Sequence, residues 1–126
     1  MSFDWRAYLH LAGELLSHQQ TAIPQEAYLR SAISRAYYGV FCIARNFLIS
    51  KGTTIPRIDT HKFVRETFFN STHKIERKIG KDLRDLWHER KEADYENIAT
   101  FDTKRATTAY QLATRILNRL QAIGAI

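Results

Sequence analysis

Two charged residues, Arg90 and Asp94, have types and a spacing suited to phosphate chemistry. On a helix they lie four residues apart and share a face, and that face also carries Leu83, Leu86 and Trp87. A guanidinium directed towards a core or a partner surface needs a carboxylate or a phosphate, because an unpaired buried charge is costly. Two interpretations stay open: a structural ion pair that locks the helix end, or a phosphate-binding arginine at a cleft.

A second set of charged side chains forms a stripe on the same helix. Arg77, Lys81, Arg84 and His88 recur at helical spacing on the side away from the apolar residues. The stripe is either a basic ridge that binds RNA phosphates or an ordinary solvated helix face. Arg35, on the polar seam of an earlier helix, is a further candidate for contact with a ligand.

Hydrophobic periodicity predicts an all-α fold in which five helices position these residues. The central one contains the apolar stretch 31–48, and Gly80 in the fourth indicates close packing there. Four long helices and one short helix with short loops predict an up-and-down bundle in a single domain, 1–126. The first three predicted helices run from Asp4 to about Gln19–Gln20, from Pro24 to Ser50, and from Asp59 or Thr60 to Asn70–Ser71. The fourth runs from Thr72 to Glu92, and its inward residues are Ile75, Ile79, Leu83, Leu86 and Trp87. The fifth begins at a cap, Asp102 or Thr103, and ends at Gly124.

Composition narrows the classes of protein. The chain has 126 residues and a formal net charge of +6, which favours polyanionic partners such as RNA. No apolar run approaches the roughly 20 residues that a membrane span needs, so no membrane association is expected. The first residues do not form a secretory signal, and the single cysteine, Cys42, cannot form an internal disulfide. A cytoplasmic protein is the expectation.

Other kinds of catalytic site find little support in the sequence. The five histidines, His10, His18, His61, His73 and His88, show no zinc-site spacing and are interpreted as surface or capping residues. Cys42 is interpreted as a small buried apolar group, and no glycine-rich phosphate loop is present. We therefore expect no metal and no cofactor.

Two motifs carry a resemblance to a known family. The segment 34–41, Ser-Arg-Ala-Tyr-Tyr-Gly-Val-Phe, is followed by Ala-Arg-Asn-Phe-Leu at 44–48 and resembles the second helix of HEPN domains. The segment 90–95, Arg-Lys-Glu-Ala-Asp-Tyr, is similar to the Arg…Ala-Asp-Tyr signature of a small stand-alone HEPN group. The resemblance spans the chain from the first helix to the last.

The resemblance implies a helical homodimer that acts on RNA. In active members an Arg-polar-x(3–5)-His motif from each protomer meets in a cleft and cleaves RNA without a metal. Here Asp94 lies near the place of the histidine, and Arg84 and His88 are one residue too close together for the motif. Tyr95 matches a tyrosine that a partner nucleotidyltransferase modifies in some members.

Three hypotheses follow. In the first, a HEPN protein of toxin-antitoxin type binds RNA or nucleotides and is a metal-independent ribonuclease, with a nucleotidyltransferase as antitoxin. Arg90 then holds phosphate, Asp94 orients Arg90 or a hydroxyl, Tyr95 makes a hydrogen bond in the cleft, and His88 is a reserve proton-transfer group. In the second, the chain is a non-catalytic module for dimerisation and partner docking, in which Arg90 and Asp94 are structural. The third, a DNA-binding helical protein, lacks a recognition-helix signature.

Overall fold

A computed structural model of the chain describes residues 3–18 and 23–126, which form five α-helices and contain no β-strand. The helices pack on one another as the predicted all-α bundle, which is thereby confirmed. None of the helices in the described part combines the length and apolar character needed to cross a bilayer. The elements are α1 (Arg6–Ser17), α2 (Gln25–Ser50), α3 (Thr60–Phe69), α4 (Lys74–Tyr95) and α5 (Thr103–Ala122).

Helix α2 is the centre of the bundle, as its apolar pattern predicts. It contacts all four other helices, and more than half of its 26 residues are buried. Small residues allow this central position: a Cβ at Gly39 would lie only 3.1 Å from the Trp5 carbonyl oxygen, just before α1. Every other helix is therefore positioned relative to α2.

Helices α3 and α4 touch backbone to backbone at Gly80. A Cβ added there would overlap the backbone nitrogen of Phe69 and lie 2.7 Å from the carbonyl oxygen of Arg65. The close packing predicted at Gly80 is confirmed. Because the two backbones are in direct contact, the side chains of α3 have fixed positions relative to those of α4.

Some predicted helix features need correction. Helix α4 continues to Tyr95, past the predicted end at Glu92, because a side chain from α2 binds carbonyls in its last turns. Ile75, predicted to point inward, is 40% exposed, because the close contact with α3 is made more than a turn later. The predicted end of α1 at Gln19–Gln20 lies outside the described residues. The predicted cap Asp102 is confirmed, since its carboxylate accepts the Arg105 backbone N–H at 2.8 Å.

Candidate phosphate-binding groove

A groove of about 780 Å³ lies where α2, α3 and the C-terminal part of α4 meet. Cations dominate its lining, in which Asp59 is the one carboxylate among the described residues. Such a concentration of positive charge in a concave surface attracts anions. The cationic side chains that line it are Arg45, Arg57, Lys62, Arg65, Arg90 and Lys91.

Arg90 lies deepest among these cations and is poorly satisfied. Its side chain is only 8% exposed, and its ion pair with Asp94 joins Nη1 to Oδ2 at 3.5 Å. Charge-assisted hydrogen bonds are usually about 2.7–2.9 Å long, and a guanidinium has five N–H donors. The Arg90 Nε atom is buried and has no hydrogen-bond partner in the described structure. Arg90 thus borders the groove with most of its donors unused.

Aromatic faces hold the buried guanidinium groups. The Arg90 Cζ atom lies 5.4 Å from the ring centre of Tyr37 and 5.2 Å from that of Tyr38. The Cζ of Arg65, on α3, lies 4.5 Å from the ring centre of Trp87, and its buried Nη1 also lacks a hydrogen-bond partner among the described residues. A cation–π contact stabilises the positive charge but does not use the N–H donors, which lie in the plane of the guanidinium group. Both arginines are therefore held in place with donors that no described residue uses.

His61, in the first turn of α3, faces this pair of arginines. The Tyr37 hydroxyl lies 2.6 Å from its Nδ1, and its ring stacks on Phe41 with centroids 4.2 Å apart. Burial lowers the pKa of His61, and the charges of Arg90 and Arg65 lower it further. The interpretation of His61 as a surface or capping residue is wrong, because the side chain packs against core aromatics of α2.

Two other titratable groups of α2 stay in their neutral forms. Burial raises the pKa of Tyr37, against a smaller opposing effect of Arg90, so the phenol keeps its proton. Burial also raises the pKa of Cys42, which lines the groove as a thiol. No cluster of histidine, cysteine and carboxylate side chains suited to a metal ion occurs in the described ranges.

The end of α4 is held by a residue that sequence reasoning missed. Arg30 on α2 donates to the carbonyl oxygens of Ala93 at 3.0 Å, Glu92 at 3.3 Å and Ala99 at 2.9 Å. The last carbonyls of a helix need such partners, and a cation is favourable there. This contact keeps α4 helical as far as Tyr95 and so fixes the residues that follow Arg90.

Of the predicted site residues in segment 90–95, Arg90 and Tyr95 line the groove, whereas Asp94 does not line it and contacts Arg90 from beside it. The Asp94 Oδ2 atom accepts a hydrogen bond from the Ser34 hydroxyl at 3.3 Å and also faces Arg90. Tyr95 lines the groove at its rim and is 71% exposed. Arg35 lies beside this region, with its guanidinium 5.5 Å from the ring centre of Tyr38.

The basic stripe of α4 lies elsewhere. Its four side chains are exposed and none of them lines the groove. Arg77 donates to the carbonyls of Ser71 and Thr72, while Lys81 and Arg84 each lie within 4.0 Å of an Asp85 oxygen. His88, the last member, has its ring 5.0 Å from that of Trp87. The structure therefore separates this stripe, Arg77, Lys81, Arg84 and His88, from Arg90.

His61 and Arg65 are two of the groove residues that were not predicted from the sequence to belong to a site. A signal was present, since the two residues stand four apart on a short helix and so share a face. It identified no site because their partners, Tyr37 for His61 and Trp87 for Arg65, lie on other helices. Local spacing carries no information about those distant contacts.

Comparison with known proteins gives one family. The family model of the HEPN domain matches residues 6–123, almost the whole chain. Searches of curated proteins and of solved structures gave no match. The match covers all five helices and therefore the whole groove.

Proposed function

The chain belongs to the HEPN domain family, and on that premise we propose that it binds RNA or nucleotides by their phosphates in the groove between α2, α3 and α4. The observation that carries the proposal is Arg90, whose side chain is only 8% exposed and whose one hydrogen bond among the described residues is a 3.5 Å contact with the Asp94 carboxylate. A phosphate can take two parallel N–H bonds from one arginine. Binding would thus satisfy donors that the folded chain leaves unused.

The groove favours single-stranded nucleic acid. Its cations are interleaved with aromatic side chains, of which Tyr95 at the rim is 71% exposed. Unpaired bases stack on such rings, while duplex grooves do not admit them in this way. We therefore propose single-stranded RNA as the substrate class, with Arg90 and Arg65 on phosphates and Tyr95 beside a base.

The cellular setting is a further part of the proposal. We propose a cytoplasmic homodimer of the toxin-antitoxin type, with a nucleotidyltransferase as partner. Support comes from the segment 90–95, which resembles the signature of that group, and from Tyr95, an exposed residue at the groove. A nucleotide attached to Tyr95 would add negative charge at the rim and so oppose RNA binding.

The alternative is a non-catalytic module for dimerisation and docking. It is favoured by Asp94 near the place where the active family motif has histidine, and by the hydrogen bond that ties Asp94 to Ser34. In that case Arg90 and Asp94 hold the end of α4, and the groove receives a protein partner.

The RNA affinities of two charge-reversal variants test whether RNA binds in the groove. Lys62→Glu with Lys91→Glu changes two exposed lysines of the lining, and Lys78→Glu with Lys81→Glu changes two exposed lysines on the outer side of α4. Both double variants alter the net charge equally. We expect the groove variant to lose about tenfold or more in affinity for a fluorescent single-stranded RNA, with a shallower salt dependence.

The matched outer variant should bind RNA within about threefold of the unaltered protein, since only non-specific attraction changes. Equal losses in the two variants would show that charge alone attracts RNA. A greater loss in the outer variant would move the site to the basic stripe. Unaltered RNA binding in the groove variant, with loss of dimerisation, would favour the docking module.

A further inference from the structure

We propose that His61 is the proton acceptor for metal-independent cleavage of RNA bound in the groove. The inference rests on the proposed function, because it takes an RNA phosphate at Arg90 as its starting point. It differs from the expectation raised by the sequence, since His61 belongs to α3 and not to the segment that resembles the family motif. The active imidazole would thus come from one helix and the guanidinium from another.

The geometry gives the two ring nitrogens of His61 separate surroundings. Nδ1 faces the buried Tyr37 hydroxyl at 2.6 Å, whereas Nε2 has no hydrogen-bond partner among the described residues. His61 lines the groove, and its ring is held flat against Phe41. In the proposed tautomer, Nδ1–H donates to the Tyr37 oxygen, and the lone pair on Nε2 is free to accept a proton from a bound ligand.

The surrounding positive charges keep the His61 imidazole in its neutral form, which can accept a proton. Arg90 on α4 and Arg65 on α3 both oppose a positive charge on His61, and burial acts in the same direction, so its pKa is lowered. The other titratable or charged groups that contact His61 or line the groove with it are Tyr37, Tyr38, Cys42 and Arg45 on α2, Arg57 and Asp59 before α3, Lys62 on α3, and Lys91 and Tyr95 on α4. A neutral imidazole at pH 7 can act as a general base without prior loss of a proton.

Neither residue suggested by the sequence is placed for this step. The Oδ2 atom of Asp94 already faces Ser34 and Arg90, and Asp94 is not among the residues that line the groove. His88 is exposed and does not line the groove. Among the described residues that line the groove, His61 is the one imidazole.

The reaction would be an internal transesterification. His61 Nε2 takes the proton of a ribose 2′-hydroxyl, and the 2′-oxygen forms a bond to the adjacent phosphorus. The bond from phosphorus to the 5′-oxygen breaks, that oxygen takes a proton from water, and the proton held by His61 neutralises the hydroxide that remains. The products are a 2′,3′-cyclic phosphate and a 5′-hydroxyl end. Arg90 and Arg65 would stabilise the charge that builds up on the phosphate oxygens.

Single-turnover cleavage of a labelled single-stranded RNA in EDTA tests the assignment. We expect His61→Gln to lower the cleavage rate by about a hundredfold or more, with RNA affinity within about threefold of the unaltered protein. The matched control His88→Gln should cleave at the unaltered rate. The DNA strand of the same sequence should stay intact, because it lacks the attacking hydroxyl.

Tyr37→Phe provides a second variant that removes only the hydroxyl. In the unaltered protein the rate should rise with pH and level off, with its midpoint below 6.5, the ordinary pKa of histidine. Loss of the Tyr37 oxygen removes an acceptor that favours imidazolium, so the midpoint should move to lower pH. A shift to higher pH would mean that Tyr37 donates to Nδ1, and would overturn the role of Nε2 as base.

Failure of this inference can be told apart from failure of the proposed function. RNA that binds in an Arg90-dependent manner but is not cleaved, or is cleaved equally by His61→Gln, overturns the assignment of His61 and leaves the binding groove. Loss of cleavage in His88→Gln also overturns it. RNA binding that is insensitive to the groove lysines overturns the proposed function itself.

Discussion

Two arginines of this bundle, Arg105 on α5 and Arg90 in the groove, differ in how well their N–H donors are paired. Arg105 is 28% exposed, yet it donates to Glu89 at 2.8 Å, Glu92 at 2.9 Å and the Thr100 carbonyl at 3.3 Å. Arg90 is 8% exposed, and its one hydrogen bond among the described residues is the 3.5 Å contact with Asp94. An arginine with a purely structural role uses its N–H donors in hydrogen bonds within the chain. A buried arginine with unused donors destabilises the fold, and such destabilising residues persist mainly at functional sites.

The comparison is tested first by replacing each arginine with methionine, which keeps most of the apolar stem. Arg90→Met should weaken RNA binding by about 10- to 100-fold, because charged hydrogen bonds to phosphate are lost. Its free energy of unfolding should change by less than about 1 kcal/mol, since an unsatisfied buried charge is also removed. Fluorescence anisotropy with RNA and urea unfolding measure the two effects.

Arg105→Met should show the reverse. We expect a loss of about 2 kcal/mol of stability, because two carboxylates lose their partner, and RNA affinity within about threefold of the unaltered protein. If Arg90→Met proves the more destabilising change and leaves RNA binding intact, Arg90 is a structural residue like Arg105 and the contrast fails.

A smaller effect is expected from the packing that brings α3 to the groove. Gly80→Ala should destabilise the protein by about 1–3 kcal/mol, because the methyl group meets backbone atoms of Phe69 and Arg65. RNA binding should fall as well, since α3 carries His61 and Arg65. Thermal unfolding and the RNA affinity of the folded protein report the two consequences.

Gly13→Ala is the matched control within a helix. Its Cβ would lie 3.0 Å from the hydroxyl of Tyr110, the far end of a side chain that can move. The better helix propensity of alanine should then leave stability unchanged or raise it by up to about 1 kcal/mol. Equal destabilisation by both alanines would mean that backbone contact at Gly80 does not fix α3.

The smallest effect concerns the one carboxylate of the groove lining. Asp59 has a left-handed backbone with φ of 54°, a conformation that asparagine adopts equally well. Asp59→Asn should therefore keep stability within about 0.5 kcal/mol and raise RNA affinity about two- to threefold at low salt. Asp85→Asn, outside the groove, is the control. Weaker RNA binding by Asp59→Asn would contradict an electrostatic role of the groove.

The sequence predicted most of the fold and part of the candidate site. The helices, the central place of α2 and the close contact at Gly80 follow from the spacing of apolar and small residues. The pairing of Arg90 with Asp94 follows from their separation of four. Ile75 and the end of α4 were predicted wrongly, because neighbouring helices decide burial and helix ends: Gly80 sets where α3 meets α4, and Arg30 binds the last carbonyls.

The sequence by itself determined the helices and the charged groups that share a face on one of them, since both depend on a repeat of 3.6 residues along a single segment. Only the tertiary structure decided that His61 and Arg65 of α3 lie beside Tyr37 of α2 and Arg90 of α4. Those contacts join residues more than twenty positions apart, and the packing of α3 and α4 on α2 sets them. The candidate site is therefore a property of how three helices pack, and no single stretch of the chain contains it.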